Sequence, residues 1–184
     1  MSKRKAPSAG MLDKYPNFMS WNIAQAVADT LKTIQVFVPI PRIQGMRGKA
    51  TVIEVLWIDW FYETAMDNPA DSLQWSISTG PAPTSVTNLA DGATFATAMD
   101  TVEGYIGGGP FVDSGAMFMR TLPRRLDLQS KDGFGILLAS DSFYVALDSL
   151  TTGVINTVAF RLYYRFVDIT IEEYVGIVQS QMSS

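Results

Sequence analysis

Arginines and aromatic rings are the residues best placed to do chemistry in this 184-residue chain, because the usual reagents are missing. There is no cysteine and no histidine. Their absence removes thiolate nucleophiles, disulfides, Zn-thiolate sites, the commonest general base, the commonest transition-metal ligand and any Ser-His-Asp triad. No catalytic residue, resident metal or other cofactor is expected, although carboxylates alone leave Ca²⁺ chemistry open. The cations are clustered. Lys3, Arg4 and Lys5 are consecutive, Arg124 and Arg125 are adjacent, and Arg161 and Arg165 flank Tyr163 in R-L-Y-Y-R. In an extended segment Arg161, Tyr163 and Arg165 share one face. That suits a patch for nucleic-acid phosphates with Tyr163 as a stacking platform. A solvated outer face, or inter-subunit salt bridges to the acidic body, suits it slightly better. The candidate nucleic-acid-binding residues are therefore Lys3, Arg4, Lys5, Arg124, Arg125, Arg161 and Arg165.

Other motifs are weaker. Gly107 to Gly109 lacks the Gly-Lys-Ser/Thr ending of a phosphate loop and reads as a turn. Glu172-Glu173 resembles a glycosidase carboxylate pair only if the two side chains face each other across a bond, and neighbours in sequence do not imply that. Trp57, Trp60 and Trp75 have the chemistry of a sugar or base platform. Their places in alternating segments point instead to core or interface packing, and Trp57, Trp60 and Phe160 are expected to be structural.

The elements that must position these residues are strands. Val158 to Thr170, V-A-F-R-L-Y-Y-R-F-V-D-I-T, alternates apolar Val158, Phe160, Leu162, Tyr164 and Phe166 with Ala159, Arg161, Tyr163, Arg165 and Val167. Period two over that length predicts a long, half-buried β-strand. Thr51 to Glu63, T-V-I-E-V-L-W-I-D-W-F-Y-E, is as long and apolar on both faces, with Ile53, Val55, Trp57 and Phe61 on one and Val52, Leu56, Ile58, Trp60 and Tyr62 on the other. Further strands are expected over Thr30–Ile40, around Leu73, Trp75 and Ile77, over Ala116–Leu122 up to Pro123 and the Arg124-Arg125 pair, over Phe134–Ala139, and through Phe143, Val145 and Leu147. Ser20 could cap a short helix carrying Ile23, Val27 and Leu31, or the same residues run extended. Thr94 to Met99 suggests a helical turn, Gly80 to Gly92 a long loop. Ile171, Tyr174, Val175 and Val178 fit a C-terminal helix.

Composition agrees. Apolar residues make up 47% and charged residues 17% of the chain, enough for a large core in one domain. Mean hydropathy is slightly positive, which suits either a well-filled core or apolar surface meant for other subunits. No apolar run is long enough to span a membrane, and no charged-then-apolar signal opens the chain, so export and membrane anchoring are not expected. Net charge is −4; setting aside Lys3, Arg4 and Lys5 from the 14 basic residues leaves 11 against 18 acidic ones. The body is acidic and the start basic.

Three stretches carry a resemblance: the basic S-K-R-K start; V-P-I-P-R-I-Q followed by G-K-A-T-V-I-E-V-L-W-I; and the ending F-R-L-Y-Y-R-F-V-D-I-T-I-E-E-Y-V-G-I-V-Q-S-Q. Together they resemble the single jelly-roll capsid proteins of small circular Rep-encoding single-stranded DNA viruses. The chain departs from that family in lacking a long Arg-rich arm and in its satellite-virus size. The resemblance implies an all-β, eight-stranded antiparallel jelly-roll sandwich over residues 19–184, with long loops, behind a short flexible basic arm at 1–18. It also implies self-assembly of 60 copies or a small multiple into an icosahedral shell, around a viral genome of single-stranded DNA. Such a protein is not an enzyme, has no membrane partner, and resides in the virion after assembly in the host cell. Two other classes fit the strands: a non-viral jelly-roll carbohydrate- or receptor-binding module, and a cupin-like or glycosidase enzyme. The missing histidine counts against the cupin.

Overall fold

The computed structural model describes residues 16–38, 49–63, 72–101, 124–150 and 152–182. The described strands are β1 (Asn17–Ala24), β2 (Lys32–Phe37), β3 (Lys49–Tyr62), β4 (Ser72–Ser78), β5 (Thr94–Thr101), β6 (Arg124–Asp127), β7 (Ile136–Leu138), β8 (Ser142–Leu150) and β9 (Thr157–Thr170), and helix α1 (Ile171–Met182) follows. The expected Ala116–Leu122 strand, the glycine run before Pro110 and the basic start lie outside the described residues.

Two antiparallel sheets face each other. One runs β1-β9-β3-β6, with β7 also on β3; the other runs β2-β8-β4-β5. Strands distant in sequence are neighbours in both sheets, as in the double Greek key of a jelly roll. β6 and β7 pair with consecutive parts of β3, Trp57–Trp60 and Ile53–Val55. They are two pieces of one strand position, so the nine strands among the described residues fill eight positions, in rough agreement with the eight strands expected.

Alternation places the core. Val158, Phe160, Leu162 and Tyr164 of β9 point inward, against Leu73, Trp75 and Ile77 of β4 and Phe143, Val145 and Leu147 of β8. Trp75 is fully buried at the centre, edge-on to Phe160 and Trp60, each 5.1 Å away. Edge-to-face pairs of this kind are favoured by the ring quadrupole beyond the area they bury.

β3 departs from simple alternation. Its register with β9 shifts between Val55 and Trp57, leaving Leu56 as an extra residue. A bulge moves every later side chain to the opposite face. Ile53 and Val55 are in the core before it, Ile58, Trp60 and Tyr62 after it, and Trp57 turns outward. The face assignment from strict alternation is thus corrected beyond Leu56. The partner strand breaks at the same place: the Leu128 N–H donates to the Leu56 carbonyl at 2.9 Å, and residues 128–135 loop out between β6 and β7.

Of the two readings open for Ser20 to Leu31, the extended one holds: Ser20 to Ala24 lie in β1 and a turn follows, because Trp21 and Ile23 pair across from Phe160 and Val158. Other expectations are corrected. Thr94–Met99 is strand β5: Thr94, Phe95 and Thr97 favour a strand while Ala96 and Ala98 do not, and ladder bonds to β4 decide the conformation. Arg124-Arg125 opens β6, and the Phe134–Ala139 strand shrinks to Ile136–Leu138. The C-terminal helix is present. Thr170 and Glu173 form a capping box, the Thr170 N–H donating to the Glu173 carboxylate at 3.0 Å and the Glu173 N–H to Thr170 Oγ1 at 3.2 Å. Tyr174, Ile177 and Val178 pack on Val52, Ala139 and Ile169.

At one end, the turn after β1 is tied to the turn before β9. Asp29, at φ 53°, accepts hydrogen bonds from the Thr152 and Gly153 N–H groups and from the Thr152 and Ser149 hydroxyls. Desolvation pushes its pKa up, but those hydrogen bonds outweigh it and hold the carboxyl below its ordinary value.

The 128–135 loop closes against β3 with no room for a side chain. A Cβ on Gly135 would lie 2.0 Å from the Val55 carbonyl oxygen. Gly135→Ala is therefore expected to lower stability by about 1–3 kcal/mol, read as a lower denaturation midpoint, whereas Gly176→Ala, where nothing lies within 4 Å, should not.

Candidate nucleic-acid interface

The outward residues of the five-stranded sheet form rows across its strands. One row is Ser20, Arg161, Asp59, Arg125, and the next is Phe18, Tyr163, Trp57, Asp127, each residue directly opposite its neighbour. The ladder brings together side chains from β1, β9, β3 and β6 that are far apart in sequence.

The second row is aromatic. Trp57 and Tyr163 stack with centroids 4.8 Å apart and planes 27° apart, and Phe18 lies 6.1 Å from Tyr163. Phe18 is 60% exposed, and the other two rings are half-buried. Two guanidiniums lie over the rings: Arg125 is 5.2 Å from the Trp57 centroid and 5.9 Å from Tyr163, and Arg161 is 5.2 Å from Phe18. These distances fall within cation–π range.

Carboxylates hold three of the four arginines among the described residues. Arg125 grips Asp59 bidentately, Nε to Oδ1 at 2.6 Å and Nη2 to Oδ2 at 2.9 Å. Arg165 donates to Glu54, which is buried at 3% exposure and also accepts the Gly135 N–H at 2.7 Å. Arg124 projects to the other side of β6 and pairs with Asp100 of β5 in the opposite sheet. Asp100 also accepts the Tyr62 hydroxyl at 2.5 Å, so Arg124, Asp100 and Tyr62 clasp the two sheets. A buried carboxylate needs such a partner, since an unpaired charge away from water is very costly. Among the described residues no carboxylate pairs with Arg161.

The structure thus separates the candidates that sequence grouped. Arg125 and Arg161 share the outer face on either side of Asp59. Arg165 lies on that face beyond Tyr163 but is engaged by Glu54, and Arg124 belongs to the sheet clasp. Lys3, Arg4 and Lys5 fall outside the described residues. Trp60, Trp75 and Phe160 are core residues, as expected, but Trp57 is not: the Leu56 bulge puts it on the surface row. Sequence reading missed Phe18 and Trp57 as members of this row. Period two in β9 had already exposed Tyr163, and only the cross-strand register could add its neighbours. Glu173 is the helical half of the capping box with Thr170, and both it and Glu172 are exposed.

No protein-family model matches the chain, and no curated protein does. Solved structures do. VP1 of Trichodysplasia spinulosa-associated polyomavirus, a jelly-roll capsid protein, superposes with a TM-score of 0.54 at 8% identity, covering 84% of this chain and 96% of that one. The same VP1 in complex with sialylated precision glycooligomers gives 0.55 at 8% identity, over 88% and 97%. At such identity the likeness establishes the fold alone, a jelly roll.

Two expectations follow from the site. Trp57→Ala should keep the fold with a loss of about 1 kcal/mol, the scale of its stacking, while Trp75→Ala should cost about 3–5 kcal/mol; thermal melts of the two variants check this. Burial pushes the Tyr62 phenol up from 10.0 to about 12. Its neutral form is the one the fold favours, so that stability is complete below pH ~10 and is lost as pH rises towards ~12, by on the order of 3 kcal/mol. Tyr62→Phe should flatten the fall of the melting temperature across that window.

Proposed function

We propose that this chain is a viral coat protein whose jelly-roll body assembles into a closed shell around nucleic acid. The observation that carries this reading is the pair of four-position sheets, β1-β9-β3-β6/β7 and β2-β8-β4-β5, in a fold that superposes on a polyomavirus VP1 with a TM-score of 0.54. Exposed apolar side chains support it. Phe37 and Met99 lie on the edge strands of one sheet, Val27 and Val154 on the tied turns at one end, and Ile171 and Val175 on α1, all at least 44% exposed. Sheet edges and scattered apolar surface of this kind are covered when subunits close into a symmetric shell. The reading assigns no catalytic role.

The finer assignment follows the sequence resemblance: a coat protein of a small circular Rep-encoding single-stranded DNA virus, with 60 copies or a small multiple in an icosahedral shell, assembled in the host cell. The genome is held by the basic Lys3, Arg4 and Lys5 and by Arg161. Arg124, Arg125 and Arg165 are neutralised by carboxylates and contribute less.

Electron microscopy of the purified protein is expected to show uniform closed particles; a stable monomer by light scattering at high concentration and physiological salt would overturn the reading. Deleting residues 1–5 should leave particles intact but lower their 260/280 nm absorbance ratio. Loss of the particles would make those residues an assembly element instead.

A further inference from the structure

The aromatic row on the five-stranded sheet is one ring wide and is bounded by charge on both sides. Arg161, Asp59 and Arg125 flank it on one side, and the Arg165–Glu54 pair on the other. The core of a protein–protein contact is depleted in charge, and a single-ring stripe between charged rows is a poor one. A chain of bases is different: each base presents a flat face with a phosphate beside it, which matches rings set between cations. Phe18 is the open position, 60% exposed on the edge strand, with the Arg161 guanidinium 5.2 Å from its ring and in no carboxylate pair among the described residues.

We propose that the Phe18–Tyr163–Trp57 row is a stacking platform for the bases of single-stranded nucleic acid, with Arg161 taking the phosphate of the nucleotide stacked at Phe18. This deepens the coat-protein reading and rests on it only for the source of the nucleic acid. Asp59 and Asp127 lie in the same rows and oppose a dense array of phosphates. Binding is therefore carried by stacking, prefers single strands over duplex, and depends only weakly on salt. That sets it apart from a basic arm, whose affinity falls steeply as salt rises.

The test uses the full-length chain under conditions where light scattering reports subunits rather than particles. Oligothymidylate and oligouridylate are titrated while tryptophan fluorescence is followed, and particle formation of each variant is scored by electron microscopy. Both oligonucleotides should quench the fluorescence, and a blunt DNA duplex of equal length should bind at least about tenfold more weakly. Phe18→Ala should weaken oligonucleotide binding about tenfold, the scale of one lost stacked base. Trp57→Phe, which keeps a ring in the row, should retain affinity and lose most of the quenching. Arg161→Gln should reduce the slope of log affinity against log salt by about 0.7, one phosphate. Unchanged affinity in Phe18→Ala, or duplex binding equal to single-strand binding, overturns the inference. So does a Phe18→Ala variant that binds normally but no longer forms particles, because the row is then a contact between copies. If wild-type chains bind as described yet form no particles, the coat-protein reading fails and the platform stands.

Discussion

The antiparallel pairing of β3 with β9 is the constraint on which the rest of the structure depends. Both strands are 14 residues long. β1 docks on the free edge of β9, and β6 and β7 dock on the free edge of β3, so the whole five-stranded sheet is hung on this pair. The inward faces of the same two strands supply Ile53, Val55, Ile58, Trp60, Phe160 and Leu162 to the core. One extra residue within the pair, Leu56, decides what each face carries. Without the shift, Trp60 and Tyr62 would point to solvent and Trp57 into the core. With it, the core keeps its rings, and Trp57 joins Tyr163 and Phe18 outside.

Charge is organised by the same pair. An acidic body must place some carboxylates where water is scarce, and Glu54 and Asp100 are both buried. Each is matched by an arginine from another strand, Arg165 and Arg124, so those cations serve the fold before any ligand. Such pairs need not add net stability, but removing one partner leaves a costly buried charge. The consequence for function is direct: counting arginines in the sequence overstates the positive surface available to a polyanion, and aromatic contact gains importance relative to phosphate contact.

The likeness to a polyomavirus VP1 at 8% identity shows how little of a jelly roll is written in particular side chains. Inward-outward alternation, strand length and connection order suffice for the fold, and many sequences meet them. What distinguishes this chain is therefore to be sought in its surface rows and its tied turns rather than in the sheets.

Period two across β9, β4 and β8, the missing histidine and cysteine, and the acidic body with a basic start were all legible in the amino-acid sequence. They determined an all-β sandwich, its central strands and most of its core, because burial of one face imposes alternation on any strand whatever its partners. The C-terminal helix was legible too, through the 3.6-residue spacing of Ile171, Tyr174, Val175 and Val178, though not its Thr170–Glu173 cap. Tertiary structure alone decided the rest. β5 is a strand because β4 offers it a ladder, which settles the conflict between its strand-favouring Thr and Phe residues and its helix-favouring Ala and Met residues. Arg124 and Arg125 sit on opposite sides of β6, one bound to Asp100 and one to Asp59, because pairing with β3 sets which way each points. The outer row of Phe18, Tyr163 and Trp57 depends on a register between three strands and on a one-residue bulge. A bulge changes the phase of alternation without changing its period, so local sequence pattern does not reveal it; only the hydrogen-bonded partner fixes where the phase turns over.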